Sequence, residues 1–144
     1  MSKEFYLTRR LVNPKGDLTV NESDLNQLGE IIIILGEPGI GKTSLLENLA
    51  NKFQTTCKSA NVINYKNSSL DNTYDKILII DAFDELVKID SSSVMNLLGK
   101  ISSSPFKKIF ISSRSSEWLD SYNRKIEQFF GKSPIVLYLQ PFDI

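Results

Sequence analysis

The sequence contains no histidine and a single cysteine, Cys57, in 144 residues. The first absence excludes histidine general bases, Ser-His-Asp hydrolysis and imidazole-ligated metals within this chain. The second excludes an internal disulfide and a cysteine zinc cluster. Net charge is lacking too, because Lys+Arg and Asp+Glu balance at 17 each. With no excess of basic residues, composition indicates no nucleic-acid partner. The longest apolar run, at 31–35, is far too short to span a bilayer, so no membrane partner is expected. Met1-Ser2-Lys3-Glu4-Phe5-Tyr6 has no apolar signal region, and the expected location is the cytoplasm. The remaining chemistry must run on carboxylates, lysine, arginine, hydroxyls and an oxygen-ligated metal, an inventory that suits Mg²⁺.

What is present reads as a globular domain, with 41% hydrophobic and 24% charged residues. Continuous apolar stretches predict strands at 31–35, 61–65, 76–81, 108–112 and 134–139. Helical spacing of apolar residues predicts helices over about 42–53, 91–101 and 116–130, the last stopping at Gly131. Apolar strands separated by helices give a parallel sheet covered on both faces, a doubly wound three-layer α/β sandwich. Residues 1–29 form a polar lead-in expected to pack on the core, in which Phe5-Tyr6-Leu7 and Leu11-Val12 either make a short strand or pack on the sheet edge. Within it, Asn13-Pro14-Lys15-Gly16-Asp17 is turn chemistry, and 21–28 reads as a short capped helix. The main domain is 30–144. The link 66–75 is short for a parallel crossover and predicts a thin sheet edge. Trp118 and the other aromatics of the last helix have core spacing rather than that of a base-stacking surface. Cys57 reads as a small residue near the end of the first helix.

Gly36-Glu37-Pro38-Gly39-Ile40-Gly41-Lys42-Thr43 lies between the first strand and the first helix, with the spacing G-x-x-x-x-G-K-T. That is the P-loop, or Walker A motif. Glycines let backbone N–H groups turn inward around phosphate oxygens, and the helix N-terminus adds its positive dipole end. Residues 36–44, Ser44 included, therefore form the expected nucleotide cradle. Lys42 would reach the β- and γ-phosphates, and the Thr43 hydroxyl would ligate Mg²⁺.

The third strand ends in Asp81-Ala82-Phe83-Asp84-Glu85. Asp81 suits the second metal-holding position (Walker B), and Asp84 and Glu85 are candidates to orient or deprotonate the attacking water. Alternatively, Asp84 and Glu85 are the acidic first turn of a helix. After the fourth strand, Ser112-Ser113-Arg114 offers a polar group for the γ-phosphate or the water, for which Ser113 is the chosen candidate, and Arg114 as a cation for phosphoryl charge. The alternative is a helix-capping serine beside a solvated arginine.

Together these motifs resemble the NACHT-type NTPase domain of the STAND class of P-loop NTPases. Asp81-Ala82-Phe83-Asp84-Glu85 is similar to its pattern of a metal acid, a small residue and two further acids. Ile109-Phe110-Ile111-Ser112-Ser113-Arg114 is similar to its sensor-1 strand, and Gly36–Thr43 to its P-loop; the likeness covers about residues 30–142. The resemblance implies a five-stranded parallel sheet of additional-strand (ASCE) topology in the order 5-1-4-3-2. It also implies an ATP switch, less often GTP, with Mg²⁺, nucleotide-dependent homo-oligomerisation, other domains or protein partners, and a role in bacterial antiphage defence. It would place Phe5 to Arg10 near the adenine pocket. The family's helical lid and winged-helix domain would begin near Gln140-Pro141-Phe142-Asp143-Ile144, so the expectation is an isolated core that turns over slowly. Other readings are a nucleotide-binding module with negligible turnover and, further off, a small-molecule or nucleotide kinase. The chain lacks the N-K-x-D guanine loop of Ras-like GTPases.

Overall fold

A computed structural model describes residues 9–37, 39–55, 57–60, 77–89, 92–103 and 106–140. Seven strands make one mixed sheet: β1 (Arg10–Val12), β2 (Thr19–Asn21), β3 (Ile31–Leu35), β4 (Cys57–Ser59), β5 (Ile77–Asp81), β6 (Lys108–Ser113) and β7 (Ile135–Leu139). Their order across the sheet is β2-β1-β7-β3-β6-β5-β4. Among the described residues the α-helices are α1 (Lys42–Phe53), α2 (Phe83–Ile89), α3 (Ser93–Ser102) and α4 (Asp120–Phe130).

The expected five-stranded parallel sheet is therefore corrected to seven strands. β3 pairs in parallel with β6 and β7, and β5 with β6 and β4. β1 joins the other edge antiparallel to β7 and to β2. A three-residue strand carries too little apolar pattern for its pairing to be read from sequence, and β1 meets β7 across almost the whole chain. The edge strand beside β5 begins at Cys57, so this residue is not a helix-end position. The strand expected at 61–65 and the link 66–75 lie outside the described residues.

Side-chain alternation divides the core. Ile31, Ile33, Leu35, Leu78, Ile80, Ile109 and Ile111 face α2, α3 and α4 through Phe83, Leu86, Leu97, Leu98 and Ile126. Ile32, Ile34, Ile79 and Phe110 face α1 through Leu45, Leu46 and Leu49. Every residue of β3 is buried, and each such isoleucine contributes about 1.5–3 kcal/mol. The rigid strand fixes where the loop after Leu35 begins.

The lead-in extends this sheet. Leu11, Val20 and Leu25 enter the α1-side core. Asn13 accepts the Gly16 N–H at 2.9 Å, closing the turn that returns β1 to β2. The expected capped helix at 21–28 is a 3-10 helix, Glu22–Gln27, with no side-chain cap from Asn21. The last helix begins at Asp120, not at about 116, after a 3-10 turn at Ser115–Glu117, and Leu119 between them, expected to face inward, is 53% exposed. Trp118 packs in the core with Phe83 and Tyr122, ring centroids 5.2–5.5 Å apart. That triad pins the first residue of α2, and with it Asp84.

Candidate active site

The loop after β3 is bound to the sheet at its start, where the Gly36 N–H donates to the Ser113 carbonyl at 3.2 Å. A Cβ on Gly36 would lie 2.7 Å from Ile40 Cγ2, so only glycine lets the loop fold back on itself here. Gly41, at φ 102°, is the N-cap of α1 and makes no side-chain cap. The first N–H groups of a helix have no partner within it, and phosphate oxygens supply one. Pro38 lies outside the described residues; Gly39, Thr43 and Ser44 are exposed on the loop and first turn.

Lys42 is the first residue of α1, and its Nζ donates to the Gly36 carbonyl at 2.5 Å. Burial pushes its pKa below the usual lysine value, against the pull of the Asp84, Asp81 and Glu37 carboxylates. Thr43 Oγ1 donates to Asp81 Oδ2 at 3.5 Å. Two oxygens so placed, on separate elements at the cleft wall, fit a hard cation that takes its other ligands from phosphates and water. Asp81 is held from behind, because Ser112 Oγ donates to its Oδ1 at 2.5 Å. The same hydroxyl accepts the Ala82 N–H at 3.2 Å. Ala82 sits at φ 63°, a left-handed conformation that costs an alanine about 1–2 kcal/mol. The turn aims Asp81 at the α1 side and starts α2 on the other.

Asp84 and Glu85 occupy the first turn of α2. Asp84 is buried, and its Oδ1 accepts the Arg114 N–H at 3.2 Å, whereas Glu85 is exposed. Lys42, Thr43, Asp81, Ala82, Asp84, Glu85 and Arg114 line one cleft of about 260 Å³. Residues from the first turns of α1 and α2 and from the ends of β5 and β6 thus converge.

Ser113 does not join them. It is fully buried, and its hydroxyl donates to the Arg114 carbonyl at 3.2 Å. Parity explains the exchange. Ile79 and Phe110 lie on the α1 side and are cross-strand partners; two residues on, Asp81 and Ser112 emerge on that same face. Ser113 points to the opposite face. The alternation is legible within each strand, but only the register of β5 against β6 identifies Ser112 as the carboxylate's partner.

Glu37 does not line the cleft but closes its rim. It accepts Ser115 Oγ at 2.5 Å, the Ser116 N–H at 2.9 Å and Ser116 Oγ at 3.3 Å. The Ser115 hydroxyl, then the Ser116 amide, hold its carboxyl below the ordinary carboxylate pKa, and Arg114 Nε stands 4.0 Å away. The P-loop and the segment after β6 are thereby joined by side chains. Arg9, 2% exposed, is a second residue that no local pattern marks; it lies beneath the loop.

A fold with a parallel central sheet, a glycine loop entering α1 and an acid at the neighbouring strand end defines a nucleotide-binding P-loop NTPase. The chain belongs to the RNA helicase family, whose model matches residues 32–116. No curated protein matches it. Among solved structures it is similar to a DNA replication initiation factor, at 19% identity and a TM-score of 0.52, covering 81% of this chain and 43% of that one. It is also similar to katanin, in a structure addressing katanin self-assembly, at 17% identity and a TM-score of 0.50, covering 79% and 42%. At these identities the likeness concerns the fold. The chain spans less than half the length of these solved chains. No helix among the described residues is long and apolar enough to cross a membrane.

Proposed function

We propose that this chain is the Mg²⁺-dependent nucleoside-triphosphatase core of a NACHT-like switch, with ATP preferred to GTP, working in the cytoplasm in bacterial antiphage signalling. The observation that carries the enzymatic part is the convergence of Lys42, Thr43, Asp81, Asp84, Glu85 and Arg114 on one cleft. The signalling part rests on the motif resemblance and on the tie from Glu37 to Ser115 and Ser116, which gives a nucleotide at the loop a route to the segment after β6. Switches of this kind act through partner domains and through nucleotide-dependent association with further copies.

The loop amides and Lys42 would bind the phosphates, and Thr43 and Asp81 would hold the metal, which would supply neutralisation of phosphoryl charge. Glu85, exposed at the cleft, takes the proton of the attacking water. Asp84, already accepting the Arg114 amide, positions that arginine near the transferring group.

Titration of ATP, ADP and GTP with and without Mg²⁺ against wild type and Lys42→Ala tests the phosphate site. Lys42→Ala is expected to lose at least about tenfold in triphosphate affinity, ~1.4 kcal/mol. Equal binding by the two proteins would remove the reading. Hydrolysis by Glu85→Gln and Asp84→Asn separates the enzyme from a binding module: turnover unaltered in both, with binding retained, favours the module.

Membership of the RNA helicase family favours a second reading, an NTPase driven by nucleic acid. Single-stranded RNA raising the turnover rate severalfold would select it over the switch.

A further inference from the structure

The N-terminal segment reaches the P-loop from below through one buried guanidinium. Arg9 Nη2 donates to the Ile40 carbonyl at 2.7 Å and to the Gln140 carbonyl at 2.5 Å. Ile40 precedes the two residues that open the phosphate cradle, and Gln140 is where the chain leaves β7. Arg9 Nη1 packs so closely on Gly41 that a Cβ there would overlap it. The arginine is itself held at its backbone: its N–H donates to Glu22 Oε1 at 3.1 Å, and its carbonyl accepts the Glu22 N–H at 2.8 Å. Glu22 Oε2 accepts Asn48 Nδ2 of α1 at 2.6 Å, so the same pair grips the helix further along.

Burying a guanidinium is costly unless its donors are satisfied in good geometry. The packing of the core does not call for one, since the neighbouring lead-in residues Leu11, Val20 and Leu25 fill their sites with apolar side chains. What an arginine adds is a rigid plane that holds Nη2 on both carbonyls while carrying Nη1 against Gly41, an arrangement that a single ammonium nitrogen on a flexible stem does not reproduce. We infer that Arg9 is a positioning residue for nucleotide binding. Its Nη2 fixes the Ile40 carbonyl and its Nη1 backs the left-handed Gly41, which sets the direction in which the following amides and Lys42 present themselves to phosphate. The inference rests on the P-loop being the phosphate site.

The experiment uses the full chain as wild type, Arg9→Lys, Arg9→Met, Arg9→Ala and Lys42→Ala. MgATP and MgADP affinities are measured by calorimetry, and thermal midpoints are taken without nucleotide. Hydrogen bonds from a charged donor support a loss of about tenfold or more for both nucleotides in Arg9→Met, with a smaller loss in Arg9→Lys. Millimolar methylguanidinium is expected to restore affinity to Arg9→Ala and to leave wild type unaltered, a response that loss of packing alone would not give. Wild-type affinity in a folded Arg9→Met or Arg9→Lys overturns the inference. So does a failure of all the Arg9 variants to fold, which would assign the residue to the fold rather than to the loop. Absence of nucleotide binding in wild type, or no loss in Lys42→Ala, would instead remove the phosphate site itself.

Discussion

Ser112 and Ser113 are chemically identical neighbours, both fully buried, and the structure assigns them different weights. Ser112 Oγ donates to the Asp81 carboxylate and accepts the Ala82 N–H, bridging the ends of β5 and β6. Among the described residues, Ser113 Oγ reaches the carbonyl of the next residue, at 3.2 Å. Hydrogen bonds to a charged partner are worth about 1.5–3 kcal/mol and neutral ones about 0.5–1.5 kcal/mol. Ser112→Ala is expected to lower stability by ~2 kcal/mol, and Ser113→Ala by ~0.5 kcal/mol. With an unfolding entropy of ~0.3 kcal/mol/K for a chain of this length, the midpoints fall by about 7 °C and about 2 °C. Circular dichroism melts of both variants and wild type, in one buffer, read this difference. A second arm uses Mg²⁺. Asp81 without Ser112 loses the contact that fixes its rotamer, so the Mg²⁺-dependent part of triphosphate affinity falls in Ser112→Ala and stays in Ser113→Ala. Equal midpoint losses, or the larger loss at Ser113, would refute the assignment of faces on which the site is built.

Glu37, with its carboxyl held below the ordinary 4.5 by the Ser115 and Ser116 contacts, stabilises the folded loop above that pH and ceases to do so as pH falls through its lowered folded value. An acid titration followed by near-ultraviolet circular dichroism or Trp118 fluorescence should therefore show a loss on the acid side of pH 4.5 that Glu37→Gln lacks; identical acid limbs would argue against the tie. Cys57 has its thiol pushed up from 9.0 to about 11, first by burial and then by the Asp81 and Glu47 carboxylates. At pH 8 it should carry about a hundredfold less thiolate than a thiol at the ordinary value, so iodoacetamide labelling of the native chain should be slower than that of the urea-unfolded chain by a similar factor. Equal rates would contradict the burial of this strand residue.

The chemistry of the cleft was legible in the chain because it is written in short, local units. The span from Gly36 to Thr43 needs only its own glycines and the strand before it to turn into the N-terminus of α1, and Asp81 needs only an apolar run to carry it to a strand end. The helix at 42–53 was equally local, since its stripe of Leu45, Leu46 and Leu49 repeats at helical spacing. Residues such as Ser113 defeated that reading. Choosing between two adjacent serines requires knowing which face of the sheet each side chain meets, and that follows from the register of β5 against β6.

By itself, then, the amino-acid order determined the class of fold, the glycine loop between β3 and α1 and the acids at the end of β5, because each is specified by neighbours within a few residues. Tertiary structure alone decided the two added antiparallel strands, the choice of Ser112 over Ser113, the tie from Glu37 to Ser115 and the placement of Arg9 beneath the loop. These last contacts join residues 13, 31, 78, 79 and 131 positions apart. Separations of that size leave no periodic trace in the chain, and only the folded sheet, by bringing its first and last strands side by side, makes them neighbours.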